Sequence, residues 1–288
     1  MLLSFFSVGI FFLSFFVATK TFAQETPRLP VLMYHKISGN GHKDELTVQS
    51  QALETQFNYM RQEGFTPILL SQLVDYVKRK KPLPENPVLI TFDDGYRDNY
   101  LVMYPLLKKY GMKANIFLVP AYLQEREPVV VNGDMGYLMP SDVLSMDSSM
   151  VEFGLHSFDH KNYKDASLQE LDADIVNNKR ALQQLGIRFQ PCLAFPYGAY
   201  PKKNPFKKHY FFKTLSLNEI TLAFRIGNRL NPLPLNRPLL IKRLDVKPDM
   251  SLAHFASLLQ KAKLKSSLAK NRTPERALTP AYETVVAQ

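Results

Sequence analysis

The sequence predicts an α/β fold built on parallel strands, and three observations predict it. Residues 29–34, 88–92, 114–119, 151–155 and 192–195 are short runs dominated by apolar, β-prone side chains, the pattern of strands covered on both faces. Stretches with helical spacing alternate with these runs, as in chains that wind from strand to helix to strand. Three polar segments follow directly at the ends of runs, and the C-terminal ends of parallel strands are where such folds carry their working groups.

In chain order, the strand at 29–34 ends at His35. A helix is predicted over 47–63, with Leu53, Phe57 and Met60 at helical spacing and Gly64 as its stop. Residues 71–80 give a second helix with Ser71 as N-cap. Pro82, Pro84 and Pro87 then prevent regular structure until Val88, where the strand 88–92 runs into Asp93-Asp94-Gly95. A helix over 97–110, closed by Gly111, leads to the strand 114–119. A helix opened by Ser141, the strand 151–155, a helix over 168–185 closed by Gly186 and the strand 192–195 complete the readable alternation. Residues 251–259 are amphipathic, while 121–140 and 199–237 give no readable pattern.

A chain of 288 residues with 45% hydrophobic and 22% charged residues can bury one large core, so a single domain is expected over 28–262. Residues 1–23 are different. The apolar run 2–17 followed by small residues at Thr21 and Ala23 reads as a signal peptide cut after Ala23. No Lys or Arg precedes the run, and its length leaves an uncleaved membrane anchor open. Either reading exports the body of the protein, as a periplasmic, secreted or envelope-anchored form. Residues 263–288 read as a basic, disordered tail. The single cysteine, Cys192, excludes an intramolecular disulfide and sits in an apolar run, as a buried core thiol does. A net charge of +10 favours contact with an anionic cell envelope or membrane surface. Export and the lack of a nucleic-acid motif argue against nucleic acid as a partner, and a monomer is expected.

Three segments carry chemistry. In Thr91-Phe92-Asp93-Asp94-Gly95, two adjacent carboxylates at the end of a buried strand repel one another, and a cation relieves them; a solvated Asp-Asp-Gly turn is the alternative. In His156-Ser157-Phe158-Asp159-His160, imidazoles four residues apart converge on one metal if the segment forms a helical turn. Two nitrogens and one carboxylate oxygen leave open positions for water and substrate, as catalytic zinc sites do. Ala194-Phe195-Pro196-Tyr197-Gly198 alone is only a strand-to-turn junction.

Together these segments resemble the polysaccharide deacetylase family, also called the NodB-homology or carbohydrate esterase family 4 domain, over roughly residues 29–247. The resemblance implies a distorted (β/α) barrel of the NodB-homology type. It implies Asp93 as catalytic base and Asp94, His156 and His160 as ligands of a divalent metal, Zn²⁺. It also implies that the backbone N–H of Tyr197 helps hold the oxyanion. The chain departs from the family pattern where an Arg usually precedes Pro-Tyr, here Ala194, and in having no Trp. Leu252-Ala253-His254 matches the letters of a late family motif, but in a helical stretch instead of at a strand end. These departures resemble the branch that includes poly-β-1,6-N-acetylglucosamine deacetylases, with Met33-Tyr34-His35 and Pro196-Tyr197-Gly198 as corresponding segments. In that comparison His35 is the candidate general acid, against a structural His. Arg243 is the candidate replacement for the missing Arg, against a surface Arg. The implied function is metal-dependent removal of N-acetyl groups from N-acetylglucosamine units of an extracellular or cell-wall polysaccharide; the alternative is a glycan-binding homologue that has lost catalysis.

Overall fold

The computed structural model describes residues 27–39 and 41–263. The predicted leader at 1–23 and the predicted tail beyond Lys263 lie outside the described residues. In chain order the first elements are β1 (Arg28–Leu29), β2 (Val31–Tyr34), β3 (Lys36–Ser38), β4 (Thr47–Gln49), α1 (Ser50–Gln62), β5 (Thr66–Ile68) and α2 (Leu70–Arg79). There follow β6 (Pro87–Asp94), α3 (Tyr104–Tyr110), β7 (Ala114–Leu118), α4 (Pro140–Ser145), β8 (Val151–Leu155) and α5 (Leu168–Gln184). The last are β9 (Cys192–Ala194), α6 (Pro205–Leu217), β10 (Leu222–Ile226), β11 (Asn231–Pro232), β12 (Ile241–Asp245) and α7 (Leu252–Gln260).

Seven parallel strands close a barrel in the order β2-β12-β10-β9-β8-β7-β6, and β6 returns to β2 with Val31 opposite Leu89 and Tyr34 opposite Phe92. The short β5 pairs with the first half of β6, so Leu89 lies between Val31 and Ile68. The seam between β8 and β9 is held by one residue pair, Leu155 and Leu193, which makes the barrel uneven. This is the (β/α) barrel that the family resemblance implies.

Successive side chains on a strand point to opposite faces, and the buried side chains separate accordingly. Val31, Leu89, Phe117, Cys192, Leu222, Phe224 and Ile241 belong to one apolar cluster. Their strand neighbours Leu32, Ile90, Ile116, Leu193, Ala223 and Leu244 belong to a second, shared with Phe57, Leu107, Leu171 and Leu215 of the helices. The first cluster fills the barrel and the second packs barrel to helices. Burying a Leu or Phe side chain in such a layer stabilises by roughly 1.5–3 kcal/mol, so closure rests on many modest contributions. Polar residues share the barrel face near the strand ends: Thr91 and Asp93 follow Leu89 at period two, and Arg243 follows Ile241.

Several local expectations are corrected. The first helix begins at Ser50, because Thr47–Gln49 pairs instead with Lys36–Ser38. The second begins at Leu70 behind Leu69, whose N–H donates to Gln72 Oε1 at 3.0 Å; Ser71 does not cap it. Met139, not Ser141, is the cap of α4, and Asp142 Oδ2 accepts its N–H at 3.0 Å. The stretch 97–110 contains a wide π turn over Asn99–Met103 before α3. The unreadable stretch 199–237 contains α6 and β10. Among the described residues no helix is long and apolar enough to cross a membrane.

Candidate metal centre and active site

The C-terminal ends of β6, β8, β9 and β12 bring the site together. Adjacent strand residues should diverge, yet Asp93 Oδ2 and Asp94 Oδ1 lie 3.8 and 3.3 Å from the same atom, His156 Nε2. The backbone of Asp94 explains this. Its φ of 71° leaves the strand in the left-handed region and re-aims the side chain. Gly95 continues the turn at φ 77°, where an added Cβ would lie 2.9 Å from Leu118 Cδ2, so this position favours glycine.

His160 Nε2 lies 3.2 Å from the same Asp94 oxygen. The two histidines do not converge through a helical turn, as the spacing suggested. Residues 156–160 form an irregular loop after β8, with Ser157 at φ 66° and His160 at φ 63°. Asp174 of α5 holds that loop. Its carboxylate accepts hydrogen bonds from Ser157 Oγ (2.9 Å), Phe158 N–H (3.1 Å) and Tyr163 OH (2.6 Å). Ser157 Oγ in turn accepts from Lys161 N–H at 2.8 Å. With Tyr197 at φ 57°, four residues of the site hold left-handed backbones, a clustering of strain typical of functional sites.

Asp93 is buried and forked by Arg243, with Nη1 to Oδ1 and Nη2 to Oδ2 both at 2.6 Å. Arg243 is itself buried, against the ring of Phe117. Burial opposes the charge on Asp93, but Arg243 and His156 outweigh it and hold the carboxyl below its usual range. Asp94 is depressed in the same sense: burial opposes its charge, and the two imidazoles outweigh it. Burial likewise disfavours charge on His156, yet Asp93 and Asp94 raise its affinity for a proton.

The donor set fits a metal ion. His156 Nδ1 lies 2.9 Å from the Ala194 carbonyl, an acceptor, so Nδ1 carries a proton and Nε2 is the nitrogen left facing Asp94. Asp94 Oδ1 is buried without a hydrogen-bond partner. Ligand atoms of Asp94, His156 and His160 lie within 4.8 Å of one another, and a divalent cation answers all three at once. At the position where the family pattern has Arg, the Ala194 carbonyl lies on His156 Nδ1, while the guanidinium on Asp93 is that of Arg243 from another strand.

The remaining candidates divide. Tyr197 is 65% exposed, and its hydroxyl lies 3.1 Å from His160 Nδ1. His35 follows β2 with its carbonyl held by Asn99 Nδ2 at 2.9 Å. Burial lowers its pKa, against the opposing pull of Asp93 and Asp94, so its neutral form is favoured. His254 lies exposed on α7, with its N–H on Ser251 Oγ, and is not brought to the site. Cys192 is a buried barrel thiol whose ionisation burial suppresses. Sequence reasoning missed Asp174 and the rings of Tyr122, Tyr137 and Tyr96, which stack in series beside His160. Asp174 had a signal. With Asn178 it interrupts the buried stripe Leu171, Ile175 and Leu182 of α5, and a buried polar side chain requires partners.

The family model for polysaccharide deacetylase matches residues 80–207, a stretch that contains Asp93, Asp94, His156, His160 and Tyr197. Over that stretch the chain is similar to the polysaccharide deacetylase family. That family comprises hydrolases of a linear amide C–N bond. The Bacillus subtilis protein YxkH, named for polysaccharide deacetylation, is 26% identical over 243 residues, covering 83% of this chain and 79% of its own length. A poly-β-1,6-N-acetyl-D-glucosamine N-deacetylase of Staphylococcus aureus is 26% identical, over 53% of this chain and 54% of its own. Its Escherichia coli counterpart is 37% identical over 69 residues, only 24% of this chain and 10% of that protein. Among solved structures, the Streptococcus pyogenes deacetylase PplD superposes with a TM-score of 0.67 at 21% identity, covering 82% of this chain and 99% of that one. IcaB from Ammonifex degensii gives 0.66 at 22%, covering 82% and 98%. At these identities the structures share the fold.

Proposed function

We propose that this chain is a metal-dependent polysaccharide deacetylase that removes N-acetyl groups from N-acetylglucosamine units of an extracellular or cell-wall polysaccharide. The observation that carries the reading is one unpartnered carboxylate oxygen, Asp94 Oδ1, facing two imidazole nitrogens at 3.3 and 3.2 Å. Beside it stands a second carboxylate that takes no part in the three-atom cluster.

Asp94, His156 and His160 would hold the metal, with Zn²⁺ favoured by a set of two nitrogens and one oxygen. When bound, such an ion lowers the pKa of water toward ~7 and polarises a carbonyl oxygen. Asp93 is the general base: Arg243 keeps it ionised and fixes its plane, so one of its oxygens accepts the proton of the attacking water. The same fork lowers its basicity, which ties its strength to Arg243. The Tyr197 backbone N–H stabilises the oxyanion, a donor typically worth ~3 kcal/mol. The proton that Asp93 takes from water passes to the departing amine, with His35, neutral at rest, as its relay, releasing acetate and a glucosamine unit. The sequence of residues 1–23 supports export, and the positive net charge of +10 supports contact with an anionic envelope.

Acetate release is the test, measured on β-1,6-linked N-acetylglucosamine oligomers, peptidoglycan fragments and chitin oligomers, with and without chelator. The reading expects chelator-sensitive release from at least one, and a loss of about 10²–10⁴-fold in Asp93→Asn, the usual worth of a general base, with metal content unchanged. Binding of the oligomers without any release would make the chain a glycan-binding homologue.

A further inference from the structure

Helix α6 breaks the rule that a surface helix turns polar residues to solvent. Phe211 and Leu215 point into the core, as expected. The opposite stripe carries Phe206, Tyr210, Lys213 and Leu217, at offsets that place them on one face. Phe206 is 70% and Leu217 73% exposed, and the Phe206 and Tyr210 rings touch at 4.6 Å. On one flank of the helix opens a cleft of about 390 Å³, walled by Phe212, Pro238, Leu239 and Leu240, with Lys208 and Arg237 among its lining residues. Along the chain the charge here is mostly of one sign, although Asp172 Oδ1 accepts from Asn218 Nδ2 at the C-terminal end of the helix. Residues 175–244 hold 13 Lys and Arg and a single acid, Glu219.

We propose that the exposed face of α6, Phe206, Tyr210, Lys213 and Leu217, forms a docking surface for an anionic lipid bilayer. Exposed aromatic and aliphatic side chains framed by lysines are the composition of interfacial helices that lie in the headgroup region. A second copy of the chain presenting the same face would set lysines against lysines. A sugar polymer would leave Leu217 without a partner. An uncleaved apolar run 2–17 would enter the described chain at Pro27. The Pro27 carbonyl accepts the N–H of Leu233 at 2.8 Å, four residues ahead of Arg237. None of these residues belongs to the metal site, so the surface can be tested apart from catalysis.

The chain has no tryptophan, so Phe206→Trp installs a single fluorescent reporter on the face. Leu144→Trp, at another exposed position, gives a control that responds only to general adsorption or insertion of the upstream segment. The full chain is mixed with vesicles of phosphatidylcholine containing phosphatidylglycerol, with phosphatidylcholine vesicles alone, and with dextran sulfate. Expected are a blue shift for Phe206→Trp on the anionic vesicles, lost at high salt, and none for Leu144→Trp. Lys213→Gln should weaken vesicle binding about fivefold, the equivalent of ~1 kcal/mol per lysine near an anionic membrane. Unchanged acetate release on soluble oligomers would show that these variants are folded. An unshifted reporter, equal shifts at both positions, equal shifts on neutral vesicles, or a shift with dextran sulfate alone would overturn the proposal, the last in favour of an acidic polymer.

Discussion

Asp93 and Arg243 form the buried pair on which the proposed chemistry rests. A buried ion pair adds little net stability, but removing one partner strands the other charge. Arg243→Met should therefore destabilise the fold by about 3–5 kcal/mol, read as a lower urea midpoint, and abolish acetate release. Arg243→Lys keeps the charge but not the two parallel bonds at 2.6 Å; it should remain folded while kcat falls and KM holds, because the base is no longer fixed in plane. Full activity in Arg243→Lys would remove the positioning role. The sequence made Asp93 and Asp94 visible as adjacent carboxylates, and His156 and His160 as a spaced pair. It could not show Arg243 on Asp93, because that contact crosses 150 residues and depends on barrel closure. Nor could it show the Ala194 carbonyl on His156, since any residue at that position offers the same atom.

Among elements, the loop after β8 and helix α5 act together. Asp174 accepts three hydrogen bonds from the histidine loop and its neighbour Tyr163, so it places His160 without touching the metal cluster. Asp174→Asn should lower zinc affinity by about 10–100-fold, the usual effect of an outer-shell partner, measured by competition with a chelating dye. Circular dichroism should remain that of the wild type. An unchanged affinity would reduce Asp174 to a packing role. The legible elements were those whose pattern is local: β6, β7 and β8 as apolar runs and α5 as a helix closed by Gly186. The illegible ones were β10 and α6. Helix α6 is apolar on two faces, which erases the 3.6-residue period, and β10 is short and ends in the half-buried Arg225 and Ile226. The starts of α1, α2 and α4 were misplaced because Gln72 and Asp142 serve as caps from inside the helix, and because Thr47–Gln49 had a distant strand partner.

In the molecule as a whole, Asp98 is a buried carboxyl outside the proposed chemistry. Burial pushes Asp98 up to about 8, against hydrogen bonds from the Ile37 backbone and Asn99. Between the unfolded carboxyl range and about 8 the folded state binds the extra proton, so this group's contribution to stability falls as pH rises through that window. Asp98→Asn removes the dependence. Relative to wild type the variant should gain about 1.4 kcal/mol per pH unit from roughly pH 4 toward 8, read from urea midpoints. A constant gap across that range would show that Asp98 is ionised in the folded protein. The α/β class was foreseeable from alternating strands and helices, and the barrel from the family resemblance. Its seven-strand closure and the seam between β8 and β9 are tertiary outcomes that no local pattern encodes.

The most direct test of the metal centre is anomalous diffraction at the zinc edge from crystals of the zinc-loaded protein. The account predicts one strong peak ~2.0–2.2 Å from an Asp94 oxygen and from Nε2 of both His156 and His160, absent in the His156→Ala/His160→Ala double variant. A zinc peak elsewhere, or its persistence in the double variant, would contradict it.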